Sequence, residues 1–271
     1  MTQVRVLVVT GYGTNCERET AYICRVAGAD EVVIAHFADL VQETIRLADF
    51  QFLVFPGGFL DGDHLGAAQA AAARFKHTKT VSGSSLVQDI LDLHAKGGLI
   101  LGICNGFQLL VKLGLLPALE SGYLTREVSL AHNDSARFED RWVYLRSNPD
   151  SPCIFTQGLD SLYFPVRHGE GKLIAKDGDT LDKLARGGHI ALQYTDQSGA
   201  PTQEYPANPN GSDLAIAGLT DPTGRIFGLM PHPEAYNHPT NHPSWSRGDQ
   251  ATHGTAMFGN GIDFLRSNPA N

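Results

Sequence analysis

Gly98-Leu99-Ile100-Leu101-Gly102-Ile103-Cys104-Asn105-Gly106-Phe107-Gln108-Leu109-Leu110 is the stretch whose reading decides the fold of this chain. Leu99 to Ile103 is short, branched and wholly apolar, the composition of a strand buried on both faces. From Phe107 onward Leu109, Leu110, Val111 and Leu113 follow a near-helical spacing that Gly114 ends. Cys104 therefore falls on a tight strand-to-helix turn, where Gly102 and Gly106 leave room for a crowded backbone. Its sulfur is expected to face solvent. The helix that follows offers free N–H groups and a partial positive charge, which favour an anion beside them and can donate to a developing oxyanion. A cysteine placed there has the surroundings of a nucleophile, although a small buried cysteine at a strand end is the alternative reading.

Outward from this stretch toward the amino terminus, Val4 to Thr10 is a continuous apolar run followed by the loop Gly11-Tyr12-Gly13-Thr14-Asn15-Cys16. A helix over about Glu17 to Ala27 stops at Gly28. Glu31 to Phe37 reads as a second strand, Asp39 to Ala48 as a helix capped by the aspartate, and Phe52 to Phe55 as a third strand. Such βαβαβ alternation specifies a parallel sheet with helices on both faces and ligands at the carboxyl ends of its strands. The third strand runs into Pro56-Gly57-Gly58-Phe59, and paired glycines there can turn backbone N–H groups outward. Gly66 to Phe75 and Ser84 to Ala95, the latter capped by Ser84 or Ser85, are expected helices.

Toward the carboxyl terminus, beyond Pro117, the runs shorten and alternate: Tyr123 to Leu130, Trp142 to Leu145, Leu162 to Val166, Ile190 to Thr195 and Leu214 to Leu219. Antiparallel strands fit this texture, with Asp221-Pro222-Thr223-Gly224 as a turn. Gln197 to Asp213 has little apolar content and reads as a long functional or partner-facing loop. The last strand, Ile226 to Met230, delivers Pro231-His232-Pro233-Glu234. In extended backbone residues two apart share a side, so His232 and Glu234 can lean toward one site. A base for Cys104 needs an imidazole held in one tautomer, which a carboxylate on its other nitrogen provides. His238, His242 and Asp249 lie nearby, but their irregular spacing favours a flexible tail over a metal site. The fold class is thus α/β: an open, mostly parallel sheet flanked by helices, with antiparallel additions in the carboxyl-terminal half. One domain over 1–271, with an extension from about 235, is expected.

With 21 basic against 29 acidic residues and a net charge of −8, the chain is a poor partner for nucleic acid or an anionic membrane. Four cysteines without CxxC pairs, and an amino terminus without a signal-peptide pattern, point to free thiols in a reducing cytoplasm. No apolar run approaches the roughly 20 residues that span a bilayer.

GICNGFQ, FPGGF and GLMPHPE together resemble the class I, or triad, glutamine amidotransferases. Gly13-Thr14-Asn15-Cys16, Asn133 to Glu139 with Arg141-Trp142-Val143, Pro165 to Gly171 and Asn208 to Ser212 are similar to the glutaminase components of phosphoribosylformylglycinamidine synthases. The resemblance spans about Val4 to Trp245; Asp61 to Gly66 and the tail after Glu234 depart from the shorter bacterial pattern. It implies a flavodoxin-like fold and hydrolysis of glutamine to glutamate and ammonia. The ammonia would pass to a synthase that aminates formylglycinamide ribonucleotide. It further implies Cys104 as nucleophile, His232 as base and Glu234 as its orienting group, with the N–H groups of Gly58 and Asn105 as oxyanion hole. Gln108, Ser135 and Phe138 are its candidate glutamine-binding residues. By the same resemblance the partners are a large synthase subunit, with or without a small accessory subunit, and ATP and magnesium belong to that partner. No cofactor or metal is expected in this chain.

The Gly57-Gly58 peptide can rotate at little steric cost, so the sequence leaves room for a docked partner to control one oxyanion donor. Gly13 to Cys16 and Gln197 to Asp213 are the candidate docking loops. Three other readings stand beside this one: a glutaminase of another pathway, an α/β-hydrolase-type cysteine hydrolase, and a non-catalytic module of the same fold. In the hydrolase type the acid precedes the histidine on a separate strand, whereas here it follows two residues later.

Overall fold

The apolar runs of the amino-terminal half lie side by side in a computed structural model, which describes residues 3–248 and 253–268. Its strands are Arg5–Thr10 (β1), Glu31–His36 (β2), Phe52–Phe55 (β3), Leu99–Ile103 (β4), Val128–Ala131 (β5) and Glu139–Ser147 (β6). They continue with Ser161–His168 (β7), Lys172–Ala175 (β8), Ile190–Thr195 (β9), Ile216–Thr220 (β10) and Ile226–Leu229 (β11). The helices are Glu17–Val26 (α1), Phe37–Val41 (α2), Gln69–His77 (α3), Leu86–Ala95 (α4), Asn105–Leu113 (α5), Gly178–Arg186 (α6) and His253–Ser267 (α7). None of these helices is long and apolar enough to cross a membrane.

One nine-stranded sheet runs in the order β2-β1-β3-β4-β11-β10-β9-β6-β7, and β5 and β8 form a separate antiparallel pair. The pairs from β2 to β11 are all parallel, and those from β11 to β7 are all antiparallel. This division follows the change of texture in the sequence: strands covered on both faces are wholly apolar, whereas β6 alternates buried and wetter positions. The last strand, β11, does not extend the far edge but inserts between the two halves, next to β4. Its neighbour pairs are Ile226 with Ile100 and Leu229 with Ile103, so both strands end at the same level.

Several elements differ from expectation for local reasons. The helix after β2 is only Phe37–Val41, and Asp39 is not its cap. The His36 ring accepts from Ala38 N–H while Asp39 Oδ2 accepts from His36 N–H at 2.8 Å, a reciprocal box that starts the helix two residues early. Glu43 then turns left-handed, at φ 56°, and ends it. Helix α3 begins only after Ala68, which is also left-handed, and α4 begins at Leu86, with Ser85 in the cap position but making no side-chain cap. Of Tyr123 to Leu130 only the end is strand. Unforeseen are β8 and α6; α6 is mostly polar, and its signal was Asp177, whose carboxylate accepts from Thr180 N–H at 2.8 Å.

The tail, expected to be flexible, is packed on the body where it is described. Helix α7 buries Met257, Phe258, Ile262 and Leu265 against the body. Asn260 Nδ2 donates to the carbonyls of Phe155 and Gln157, and Arg266 donates to Gly28 O. Ahead of it, His242 packs among the rings of Trp142, Tyr163 and Tyr236, and its Nδ1 accepts from Ser244 N–H. Asp249 lies outside the described residues. Truncating the fully buried Phe258 to Ala should remove about 3 to 5 kcal/mol of stability, seen as a fall in Tm and a lower urea midpoint at unchanged slope. An unaltered midpoint would mean that α7 is not part of the cooperative fold.

Candidate active site

The parallel pairing of β4 with β11 delivers Cys104 and His232 to the same edge of the sheet. Cys104 N–H donates to Leu229 O at 2.8 Å, extending that ladder into the turn. Cys104 itself adopts φ 51°, ψ −103°, a conformation unfavourable for a residue with a Cβ and typical of a strained functional turn. The glycines around it are dictated by close approach: a Cβ on Gly106 would run into the Phe55 carbonyl, and one on Gly102 would lie 2.6 Å from Gly106 O. Contrary to expectation the sulfur does not face open solvent. Cys104 is 5% exposed, and its Sγ lies 3.5 Å from Arg167 O.

Four strands separate β7 from β4 in the sheet, yet the end of β7 reaches Cys104 through Arg167 and His232 through Pro165, whose carbonyl accepts from His232 N–H at 2.8 Å. The antiparallel half thus curls back over the strand ends and closes the site from above. After His232 the backbone is not extended as expected; Pro233–Ala235 forms a single 3-10 turn. That turn brings Glu234 Oε1 to 2.5 Å from His232 Nδ1. Because an ionised carboxylate only accepts, Nδ1 carries the proton and Nε2 is presented to the site. Burial alone would push the His232 pKa down. The Glu234 carboxylate and the sulfurs of Cys104 and Cys16 outweigh it, so the imidazole stays charged well above its ordinary range.

The Gly57-Gly58 peptide is not free to turn. Gly57 O accepts from the N–H groups of Asn15 and Cys16, both at 3.2 Å, and Phe59 N–H donates to Gly13 O at 2.7 Å. Gly58 and Thr14 therefore face each other as a non-hydrogen-bonded antiparallel pair. In such a pair the N–H of Gly58 points away from its partner, and since that partner continues β1, it points toward the β4 side, where Cys104 lies. Asn105 opens α5, so its N–H is among those a helix start leaves without an internal acceptor.

This chain matches the model of the CobB/CobQ-like glutamine amidotransferase domain over residues 3–265. It belongs to that amidotransferase family. Among its relatives, the phosphoribosylformylglycinamidine synthase subunit PurQ of Dehalococcoides mccartyi is 42% identical over 98% of this chain and 99% of the relative. PurQ of Methanococcus maripaludis is also 42% identical, over 89% of this chain and 85% of its own length. The PurLQS structure from Thermotoga maritima contains a chain that superposes with a TM-score of 0.71 at 26% identity, covering 97% of this chain and all of that one.

Within this amidotransferase the remaining candidates divide. Gln108 is buried and fully engaged: it accepts from Asn105 Nδ2 at 3.0 Å and donates to Glu170 O at 2.5 Å. Asn105 Oδ1 in turn accepts from Leu60 N–H, so these two side chains tie the Phe59 turn to the His168–Gly171 segment. Gln108 is thereby a brace, and its amide would reach glutamine only by leaving these bonds. The Ser135 hydroxyl is engaged by Glu139 at 2.5 Å, and Phe138 is exposed above Gly169. Asn208, Asn210 and Ser212, expected in a partner-facing loop, are buried instead. Ser212 Oγ accepts from Leu173 N–H, and Asn210 donates to Tyr194 Oη.

Two buried side chains near His232 have no role assigned from the sequence. One is Cys16. The other is His168, which Asn133 holds: the Asn133 amide donates to His168 O and Arg137 O, so its Oδ1 accepts from His168 Nδ1–H at 3.1 Å. Cys16, His232 and Glu234 offer ligand atoms within 4.8 Å of one another, but the Nδ1–Oε1 bond already joins two of the three, the arrangement of an oriented base.

Burial, with the His232 charge behind it, pushes the His168 pKa down to about 3, against 6.5 in an unfolded chain. The unfolded state therefore binds an extra proton as pH falls through that window, and stability present above about pH 6.5 is lost toward pH 3. His168→Gln should flatten this acid limb in urea unfolding at a series of pH values; an identical limb would remove His168 as its source. Glu234→Gln withdraws the charge that sustains the imidazolium. Glutamine turnover should fall more than glutamine binding, and the alkaline limb of the pH profile should move to lower pH. A limb that stayed in place would exclude Glu234 as the source of the His232 shift.

Proposed function

We propose that this chain is the glutaminase subunit of a phosphoribosylformylglycinamidine synthase, the reading supported by PurQ relatives that match it almost end to end. The observation that carries the chemistry is the juxtaposition, at the ends of adjacent parallel strands, of Cys104 on its strained turn and the buried His232–Glu234 pair. In this mechanism Cys104 Sγ attacks the side-chain amide carbon of glutamine and the carbonyl oxygen takes the negative charge. The N–H groups of Gly58 and Asn105 receive that charge, and loss of one such donor typically costs ~2.7 to 4 kcal/mol in the barrier. His232 gives its Nε2 proton to the departing nitrogen, the C–N bond breaks, and ammonia leaves a thioester on Cys104. Water then attacks the thioester with His232 taking its proton; the S–C bond breaks, glutamate leaves, and the thiolate–imidazolium pair returns.

Ammonia passes to the large synthase subunit, where formylglycinamide ribonucleotide is converted to the formylglycinamidine with ATP and magnesium held by that partner. The chain acts as one domain, with its extension packed on it, in the cytoplasm. Two N–H groups hold the Gly57 carbonyl, so partner control by rotation of the Gly57-Gly58 peptide would have to break both bonds.

Cys104→Ala should abolish glutamine-dependent synthesis by the reconstituted enzyme while ammonia-dependent synthesis continues at the wild-type rate. A glutamine-derived diazoketone should label Cys104 alone of the four cysteines. Labelling that survives the substitution, or equal loss of both syntheses, sinks the assignment.

A further inference from the structure

The inference that follows rests on the glutaminase reading and adds one side chain to its machinery. Cys16 belongs to neither strand end that carries the triad; it ends the Gly11–Cys16 loop after β1 and is buried with a free thiol. Its Sγ lies in one cluster with His232 and Glu234, the three ligand atoms within 4.8 Å of one another. Gly57 shows how tightly this cluster is filled. A Cβ there would come within 2.7 Å of His232 Cε1 and 3.3 Å of Cys16 Sγ, so imidazole and sulfur flank the same glycine. The backbone of Cys16 has a second task, because its N–H is one of the two that hold the Gly57 carbonyl.

We propose that Cys16 is a positioning residue of the glutaminase site, whose side chain sets the His232 ring while its N–H sets the Gly57-Gly58 peptide. Base and oxyanion donor are then placed by one residue, relative to each other as well as to Cys104. A sulfur suits the place. It is small enough to fit beside Gly57 and polarisable enough to lie against an imidazole that changes charge in each cycle. Burial pushes its pKa up, and the Glu234 carboxylate adds to this against the pull of His232. Cys16 therefore remains a thiol. Ring placement matters because displacement of a reacting group by about 1 Å can cost on the order of a hundredfold in rate.

The experiment uses the chain assembled with its synthase partner. Cys16→Ala should lower kcat for the glutamine-dependent reaction by about tenfold to a hundredfold. The KM for glutamine should change by less than about twofold, and ammonia-dependent synthesis should be untouched. Since Cys16 helps keep His232 charged, the alkaline limb of the pH profile should move to lower pH in this variant. Cys16→Ser, which keeps a small polar atom against the ring, should recover most of the loss. A Cys16→Ala enzyme with wild-type kcat and an unmoved limb overturns the proposal. So does a parallel loss of ammonia-dependent synthesis, which would mark Cys16 as a folding residue only. The underlying reading fails separately: glutaminase activity that survives Cys104→Ala removes the nucleophile, and this proposal falls with it.

Discussion

Everything chemical in this molecule depends on the parallel ladder between β4 and β11. Gly102 pairs with Gly228 and Ile103 with Leu229, which brings together two segments far apart in the chain and ends them level. The close packing needs both glycines. A Cβ on Gly228 would run into the Phe107 ring, and one on Gly102 would meet the backbone of α5 at Gly106. A helix held this near the sheet brings its unsatisfied amino end to the sulfur. The apolar pairing of two short strands therefore sets the geometry of the polar cluster of Cys104, His232 and Glu234.

Around that ladder the structure builds two polar supports. On one side, the Gly11–Cys16 loop crosses the Gly57-Gly58 turn and holds its carbonyl with two N–H groups. On the other, the end of β7 returns over the site, and its stretch from Arg167 to Gly171 is held by buried amides and hydroxyls. Asn133 serves His168 and Gly171 together, since its Oδ1 accepts from both, and Ser212 Oγ donates to Gly171 O while accepting from Leu173 N–H. The Asn133 amide and the Ser212 hydroxyl are fully engaged in this network, which is the condition for such groups to stiffen a site, whereas the buried Nε2 of His168 has no partner among the described residues. The motifs NDSARFE, HGEG and NPNGS thus form one unit beside Arg167, whose carbonyl lies near Cys104, and Pro165, whose carbonyl accepts from His232 N–H.

This arrangement changes where control of the enzyme is to be sought. A glycine-glycine peptide is permissive by itself, but flipping this one would break both bonds to Gly57 O. Its freedom is removed by the Gly11–Cys16 loop, whose backbone also accepts from Phe59 and Asp61 N–H. The same loop exposes Tyr12 at 75% and touches Asp61 N–H through the Tyr12 carbonyl, so its outer surface and its inner contacts are joined within a few residues.

The sequence by itself determined the βαβαβ start, the buried β4, the strained turn at Cys104 and the pairing of His232 with Glu234. Each is set by contacts within a few residues, by apolar period or by a glycine no other residue can replace. Tertiary structure decided what depends on which segments meet. The order of strands put β11 beside β4, and the curl of the antiparallel half buried a sulfur that the turn alone would expose. The same meeting of segments turned Gln108 into a brace and buried Asn208, Asn210 and Ser212. Polar residues are ambiguous in one dimension because their partners lie far along the chain: Gln108 finds Glu170, and Cys16 finds His232. Helix α7 was unreadable for a related reason, since its short apolar face has meaning only against the surface of residues 154–157 and α1 that covers it.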